Sequence, residues 1–251
     1  MNLTYLEIDH QRSVYHDVVA EDGEAFRDRL GVSWLYHDHA LEGEVIDRED
    51  LGRALDGAPA RHYCDAMRLH SLRALRDNID YIHESAARGD ELTIDWLRDV
   101  HRRTCPDDCE TAGRYRKRDT SPGVYHLDIV PSSSLSYHFH KFIDTYHDDL
   151  ASMHPVRQAA IAHWDFMHVF PFDERTGVVG RLMMNFLLLK NDFPPAIVHA
   201  TDRHHYFGGL RGHRTDLVSV VADAIRSTIS AARSFDREQR STDGRRQQAV
   251  L

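Results

Sequence analysis

Apolar residues recur at the spacing of amphipathic helices along most of this 251-residue chain. Between residues 62 and 90 the apolar side chains fall near one helical face, and Gly89 then marks the end of the segment. That face carries Met67, Leu69, Leu72, Leu75, Ile79 and Ile82. The pattern predicts one long helix that buries a single stripe.

Shorter segments repeat this pattern. Thr93 is the predicted N-cap of a helix that buries Trp96, Leu97 and Val100. Similar periodicity from residues 132 to 153, 156 to 170 and 215 to 235 predicts further helices. We therefore expect an all-α fold, with its chemistry placed on loops and helix ends.

Two segments depart from helical periodicity. Between residues 112 and 132, short alternating runs flank Pro122 and Gly123, which predicts a small β-hairpin or an extended loop. We call residues 112–132 the flap segment. From Asp236 onward the chain is polar, and a frayed, flexible tail is expected for residues 236–251.

The segment "FPFDERTGVVGRLMMNFLLL", residues 170–189, is apolar on nearly every side of the predicted helix. Such a helix is central and buried. Gly177, Arg181 and Asn185 are spaced i, i+4, i+8 and so share one face. A buried arginine needs an anionic partner. The partner is either a ligand anion, held by Arg181 and by backbone N–H groups of residues 176–180, or an internal carboxylate.

Composition narrows the classes of function. With 31 basic and 40 acidic residues, the net charge of −9 gives no general attraction to nucleic acid or to anionic membranes. The longest apolar run, residues 186–189, is too short to cross a bilayer, and the first residues lack a signal-peptide pattern. We therefore expect a cytoplasmic protein without a nucleic-acid or membrane partner.

Cysteine and histidine add little specific chemistry. Cys64, Cys105 and Cys109 cannot all pair within one chain, and reduced thiols are expected. The 19 histidines include close pairs such as His37 with His39 and His138 with His140. No HExxH-type spacing is present, so hydrogen-bonded or solvated histidines explain these pairs more simply than a structural metal does.

Residues 170–181, "FPFDERTGVVGR", resemble the signature of the Fic (Fic/Doc, or Fido) family, His-Pro-Phe-x-Asp/Glu-Gly-Asn-Gly-Arg-x-x-Arg. The segment before them, "HPVRQAAIAHWDFMHVFPF", is similar to the family's lead-in. "AGRYR" (112–116) and "DRHHYFGGL" (202–210) resemble further family motifs in the expected order. Near the N-terminus, "DHALEG" resembles the family's inhibitory-helix motif, with Glu42 as the inhibitory glutamate and Asp38 in place of the usual Ser or Thr.

The resemblance implies an all-α Fic-type helical domain with a small β-hairpin flap. It divides the chain into N-terminal helices at 1–60, with an inhibitory-type helix near 34–44, a Fic-like core at 61–235 and the tail at 236–251. It also implies a site for a phosphate-bearing ligand, such as a nucleotide with Mg²⁺ held by Glu174. In such proteins the inhibitory glutamate pairs with the second motif arginine, here Arg181.

Family members typically transfer AMP from ATP to a protein hydroxyl, and the motif histidine serves as the base. Here Phe170 replaces that histidine, and phenylalanine cannot accept a proton. Losing a positioned base costs about 10²–10⁴-fold in rate. Arg175, Thr176 and Val178 also depart from the pattern, whereas Glu174, Gly177, Arg181 and Asn185 keep it. Gly180 is a further candidate for the anion-binding set, together with Arg175 and Thr176.

Another base is available only from nearby carboxylates. His168 precedes Phe170 by two residues, about 200° around a helix, so it is expected to point away. Asp173 or Glu174 can act as the general base if an apolar wall such as Phe170 raises the pKa of its carboxyl group. Alternatively, both carboxylates belong to a surface turn. Arg175 is expected to replace part of the positive charge that Val178 lacks.

Three functions remain open. The first is an atypical Fic-fold enzyme that keeps the anion pocket and acts on a small molecule, with Glu174 in acid–base work. The second is a non-catalytic protein that binds a phosphate-bearing ligand, or a partner peptide along residues 124–130 of the flap segment. The third is a protein AMP-transferase with a substitute base.

Overall fold

A computed structural model of the chain describes residues 3–105 and 110–248. Cys109, the second cysteine of "CPDDC", lies outside the described residues. Within them Cys64 is exposed and Cys105 is buried.

The α-helices are α1 Leu3–Leu41, α2 Arg48–Leu55, α3 Tyr63–Arg88, α4 Ile94–Thr104, α5 Leu135–Thr145, α6 Pro155–Val169, α7 Thr176–Lys190, α8 Arg203–Arg211 and α9 Leu217–Gln248. A π-helical turn at Tyr146–Leu150 continues α5.

The helix ends follow the local chemistry of the sequence. Gly89 caps α3 in the left-handed region, with φ of 75°, where the absence of a Cβ avoids strain. The hydroxyl of Thr93 accepts the N–H of Trp96 at 3.1 Å and begins α4. Both predicted boundaries are confirmed.

Helix α7 lies at the centre of the molecule. It packs against α3 on one side and α6 on the other. Every residue from 176 to 188 is buried, including Arg181 and Asn185. The prediction of a central, buried helix at this place is confirmed.

Helix α1 is a single rod of 39 residues that packs along α9. Its end has a Schellman motif, since Gly43 N–H bonds Ala40 O and Glu44 N–H bonds His39 O. Gly43 has φ of 87°, so the glycine after Glu42 is what stops the helix there. Neither α1 nor another helix of the described ranges is long and apolar enough to cross a membrane.

The C-terminal helix α9 runs on to Gln248, past Asp236, where the sequence predicts a flexible tail. Two ion pairs lie on this extension. Arg29 of α1 meets Glu238 at 2.5 Å, and Asp236 meets Arg240 at 2.6 Å. Contact with α1 and pairing along the helix thus favour helix in a polar segment that buries little of its own surface.

The predicted β-hairpin in the flap segment is wrong. No strand occurs among residues 3–105 and 110–248, and residues 123–125 form a 3₁₀ turn. The segment's backbone bonds instead to the end of α6, with Arg116 N–H to Pro171 O and Val130 N–H to His168 O. Arg116 also bonds the carbonyl of Val130 through its guanidinium. A side chain therefore joins the two arms where a hairpin would use a backbone ladder.

Candidate functional site at the N-terminus of α7

Arg181, one turn into α7, is 2% exposed and is held by groups from α1 and the flap segment. Its Nε and one terminal nitrogen bond the two carboxylate oxygens of Asp38 at 2.6 and 2.9 Å. The same nitrogen bonds Glu42 at 2.7 Å, and the other bonds the Tyr125 hydroxyl at 2.7 Å. All three nitrogens of the buried guanidinium are thus bonded by side chains of the protein itself.

This cluster carries one more negative charge than positive. Burial alone would lower the pKa of Arg181, but Asp38, Tyr125 and Glu42 together raise it well above its usual value. Burial raises the pKa of Tyr125 well above 10, so its hydroxyl stays protonated and donates to Glu42. The excess carboxylate charge lies against the positive end of α7.

Gly177 forms the floor under these groups. A Cβ placed on Gly177 would lie 2.6 Å from the Glu42 carboxylate oxygen and closer still to the Tyr125 hydroxyl. The space in front of the first turn of α7 is therefore filled by Glu42 and Tyr125. Of the two alternatives for Arg181, the structure shows the internal carboxylates, Asp38 and Glu42.

Phe170 caps the C-terminal end of α6 in the left-handed region, with φ of 48°. Its ring is 6% exposed and meets the Tyr125 ring edge-on, with centroids 6.5 Å apart. Arg116 donates from Nε to the Phe170 carbonyl at 2.7 Å. Phe170 thus contributes an apolar wall next to the Tyr125–Glu42 pair and offers no group that accepts a proton.

The loop between α6 and α7 is shaped by Thr176 and His101. The Thr176 hydroxyl donates to Phe172 O at 2.9 Å and accepts Phe172 N–H at 3.2 Å. The His101 ring stacks on Phe172, with centroids 3.9 Å apart. Thr176, predicted as an anion-binding residue, therefore uses its hydroxyl within the loop and leaves only its backbone for a ligand.

His101 is neutral, and its tautomer follows from its bonds. Nδ1 accepts the Gly113 N–H at 2.9 Å, so Nε2 carries the hydrogen and donates to Glu174 O at 3.2 Å. Burial lowers its pKa to about 4. The sequence reasoning missed this residue. The available signal was its place one turn after Leu97 on the buried stripe of α4.

Asp173 and Glu174 are exposed at the outer edge of this loop. Within the described part of the chain, their carboxylates accept no hydrogen bond. Both carboxylates are therefore accessible to solvent at the outer edge of the loop between α6 and α7.

Arg175 has φ of 60° and reaches sideways from the loop. Its guanidinium bonds the Ser71 hydroxyl at 3.0 Å and Glu44 at 3.3 Å. It lines a small cavity together with Val178, Asp38 and Glu42. A second cation therefore lies next to Val178, where the family pattern has an arginine.

Gly180 and Asn185 lie away from the Arg181 cluster. A Cβ on Gly180 would meet the ring of His163 at 2.9 Å, so this glycine permits the close approach of α6. Asn185 donates to Ala196 O at 3.3 Å and accepts Ala196 N–H at 2.6 Å. Asn185 thus fixes the segment after α7, and the structure does not bring it to the predicted anion site.

The described residues contain no group of three or more His, Cys, Asp or Glu side chains arranged to hold a metal ion. A Mg²⁺ ion that accompanies a nucleotide needs less, because phosphates and water supply most of its ligands. The single exposed carboxylate of Glu174 fits that role. A metal here would depend on a bound phosphate ligand.

Comparisons with known proteins bear on this site. A sequence model of the Fic/DOC family matches residues 91–188. The protein adenylyltransferase Fic of Nematostella vectensis is 27% identical over 208 residues, covering 78% of this chain and 47% of the relative. That of Culex quinquefasciatus is 27% identical over 206 residues, covering 79% of this chain and 41% of the relative. The chain thus spans less than half the length of these relatives.

Solved structures share the fold. A Fic domain containing signaling protein from Bacteroides thetaiotaomicron superposes with a TM-score of 0.75 at 19% identity, covering 90% of this chain and 98% of that one. Fic-1 of C. elegans (residues 134–508) gives 0.75 at 20% identity, covering 94% and 72%. Residues 91–188 of this chain are therefore a Fic/DOC family domain, within a chain that has the Fic fold.

Proposed function

We propose that this chain is an atypical Fic-fold enzyme that acts on a phosphate-bearing small molecule, and that the end of α1 holds its site closed. The observation that carries the proposal is that Glu42 and Tyr125 fill the space over Gly177 while both bond Arg181. Two acceptor groups placed at a helix N-terminus and a buried arginine mimic the oxygens of a bound anion.

Displacement of Glu42 would expose a site suited to phosphate. The first turn of α7 offers backbone N–H groups, and Arg181 offers a planar guanidinium one turn further in. Arg175 adds positive charge from the side. Mg²⁺ on Glu174 would neutralise phosphate charge when such a ligand is bound.

The chemistry in this proposal does not use a base at residue 170. Phe170 supplies an apolar wall against which a ligand packs. Glu174 is the proposed acid–base group, because its carboxylate is accessible at the end of the same loop. A small-molecule substrate suits this arrangement, since the usual histidine-dependent transfer to a protein hydroxyl lacks its base.

Ligand binding is tested by thermal shift with ATP, GTP, CTP and UTP, each with and without Mg²⁺. Glu42→Gly is expected to show a Mg²⁺-dependent stabilisation by at least one nucleotide that wild type lacks. Glu21→Gly, on an exposed part of α1, controls for the loss of helix propensity. No shift in Glu42→Gly with any nucleotide would exclude a nucleotide site held closed by α1.

Turnover is tested by following each stabilising nucleotide with phosphorus NMR in the Glu42→Gly background. We expect product formation that Glu174→Gln and Arg181→Ala abolish. Binding with no turnover would instead support the non-catalytic alternative. A peptide partner at residues 124–130 is less favoured, because the Val130 N–H already bonds His168 O.

Protein AMP transfer is the second candidate, favoured by the named activity of the sequence relatives. It predicts an added AMP mass on a protein after incubation of Glu42→Gly with Mg·ATP and lysate. The mass must disappear with Glu174→Ala for this chain to be its source. Its appearance would establish a substitute base and overturn the small-molecule proposal.

A further inference from the structure

Asp38 is a second carboxylate on Arg181, behind Glu42. The two acidic residues are one turn apart on α1 and share one terminal nitrogen of Arg181, at 2.9 and 2.7 Å. Asp38 also accepts from Nε at 2.6 Å and is 4% exposed, so it belongs to the buried core of the cluster. A ligand that displaces only Glu42 therefore meets an arginine whose charge Asp38 already neutralises.

The bonds of Arg181 also limit how many phosphate oxygens it can hold. A guanidinium binds phosphate most strongly through two parallel N–H groups. The pair on Nε and one terminal nitrogen is taken by Asp38, and the other terminal nitrogen donates to the Tyr125 hydroxyl at 2.7 Å. In the place of Glu42, a ligand is offered the single N–H that Glu42 uses in this structure. The geometry thus suits one phosphate oxygen.

Arg175, the other cation that lines the site, is paired as well. Its guanidinium lies 3.3 Å from Glu44, a different carboxylate from the one that a ligand would displace. Without Glu42, the positive charges of Arg175 and Arg181 are balanced by the negative charges of Glu44 and Asp38. The side chains that line the site therefore offer a ligand no net positive charge.

Arg203 at the mouth of the site forms no ion pair within residues 3–105 and 110–248. Its guanidinium carbon lies 5.1 Å from the centre of the Phe207 ring, and a Cβ placed on Gly43 would lie 3.8 Å from its terminal nitrogen. One unit charge and the N-terminus of α7, worth roughly +0.5 charge, come close to balancing a phosphomonoester of about −1.5 to −2.

A longer phosphate chain exceeds this balance. Each further phosphate brings negative charge for which the side chains lining the site hold no unpaired cation. Asp173 and Glu174, exposed on the loop that leads into α7, add repulsion at its outer edge. A charge that leaves water without gaining a partner weakens binding.

We propose that the site at α7 selects a ligand with a single phosphoryl group over di- and triphosphates, and that Asp38 sets this selectivity by neutralising Arg181. The substrate class is then a phosphomonoester of a small molecule. This selectivity rests on the proposed function at α7, because it requires a ligand that takes the place of Glu42.

The series phosphate, pyrophosphate and tripolyphosphate tests the selectivity without a nucleoside body. Titration calorimetry and thermal shift on the full-length Glu42→Gly variant give Kd for each anion. Divalent cations are left out, because they would offset the charge of the longer chains. We expect phosphate to bind with Kd of roughly 1 mM and the longer anions no more tightly. Wild type and Glu21→Gly, with Glu42 in place, should bind none of them.

The outcomes separate this selectivity from the proposed function. Binding to Glu42→Gly that tightens from phosphate to tripolyphosphate would overturn the selectivity and leave the phosphate site standing. If no member of the series binds Glu42→Gly, or if wild type binds them equally, the phosphate site itself is contradicted and the selectivity with it.

The role of Asp38 is tested by Asp38→Ser in the Glu42→Gly background. Arg181 then carries an uncompensated charge, so the ratio of Kd for tripolyphosphate to Kd for phosphate should fall about tenfold. Asp17→Ser, the same change at an exposed position of α1, is the control and should leave the ratio unaltered. A folded Asp38→Ser variant with the parental ratio would refute the role of Asp38.

Glu44→Gln tests the same charge balance while the buried Asp38–Arg181 pair stays intact. It releases Arg175, and the ratio should fall about threefold, since the charge of a partly exposed side chain is screened by water. Glu91→Gln, whose partner Lys190 lies at the other end of α7, is the matched control. An unchanged ratio in Glu44→Gln would overturn the proposed charge balance, whether or not Asp38→Ser folds.

Discussion

At the scale of residues, Asp38 and Glu42 play different parts around the same arginine. Asp38 is 4% exposed and binds Arg181 through both oxygens, whereas the Glu42 side chain is 19% exposed and uses one. The buried, bidentate partner holds the guanidinium in the fold. The outer carboxylate fills the space in front of the first turn of α7, and under the proposed function it is the one that a ligand displaces.

This difference predicts unequal stability costs. Asp38→Asn should destabilise the fold by about 3 kcal/mol, because it leaves a buried cation short of its main counter-charge. Glu42→Gln should cost about 1 kcal/mol, since Arg181 keeps Asp38. Urea unfolding at pH 7 measures both. Asp223→Asn, in an exposed pair with Arg226, controls for loss of a surface charge. Equal costs at positions 38 and 42 would contradict the assignment.

The sequence identified part of this cluster and missed the rest for a physical reason. Gly177, Arg181 and Glu42 were recognised because spacing and motif resemblance mark them. Tyr125 and His101 contact the site only through the path of the flap segment and the rotation of α4. Local periodicity contains no information about such contacts between distant segments.

At the scale of elements, the flap segment depends on one arginine. Arg116 is 2% exposed and donates to the carbonyls of Phe170, Arg118 and Val130. Alternating side chains and a Pro-Gly pair predict a hairpin, but a hairpin needs two strands that bond each other. Here the backbone on both sides of the Pro-Gly pair bonds to residues at and just after the end of α6. The hairpin prediction is wrong because these tertiary contacts replace the bonds between two strands.

Arg116→Met should therefore loosen the flap segment as a unit. It removes the donor of three carbonyls at once and is expected to cost about 2 kcal/mol or more. Hydrogen exchange at the Val130 amide should accelerate along with it. Arg114→Met, at an exposed position in the same segment, is the control. Unaltered exchange at Val130 would show that the backbone bonds alone hold the segment.

Helix boundaries were the most predictable elements. Gly89 and Thr93 act through chemistry confined to one turn, and both ends lie where the sequence places them. The sequence pattern does not predict that α1 is one uninterrupted helix or that α9 continues past Asp236. Each helix is stabilised by the other along its length, and polar segments acquire structure from such packing rather than from their own pattern.

At the scale of the whole molecule, buried and half-buried neutral histidines link stability to pH. Burial lowers the pKa of His163 to about 3, with a further contribution from Arg181, and lowers those of His101 and His37 to about 4. Above pH 6.5 these rings are neutral in both states. Below it the unfolded chain takes up protons that the folded chain refuses, so stability falls as pH falls.

Each such histidine contributes a slope of about 1.4 kcal/mol per pH unit between its unfolded and folded pKa values. His163→Gln should reduce the measured slope of unfolding free energy between pH 6 and 4.5 by about that amount. Urea titrations at several pH values give the slope, and His204→Gln, at an exposed position, controls for the substitution itself. An unchanged slope in His163→Gln would mean that His163 is protonated in the folded protein.

The length of α1 determines how the site can open. Swinging the whole rod away would uncover its seam with α9, where Phe26 packs on Phe235, and would expose a long stretch of apolar surface. Unwinding only the last turn, between the His39–Ser71 bond and Gly43, breaks a few hydrogen bonds and exposes little apolar surface. Under the proposed function, access to Arg181 is therefore expected through fraying at a helix end, a fast local event. A ligand would meet a site whose opening rate depends on a handful of residues, while the bulk of the fold stays still.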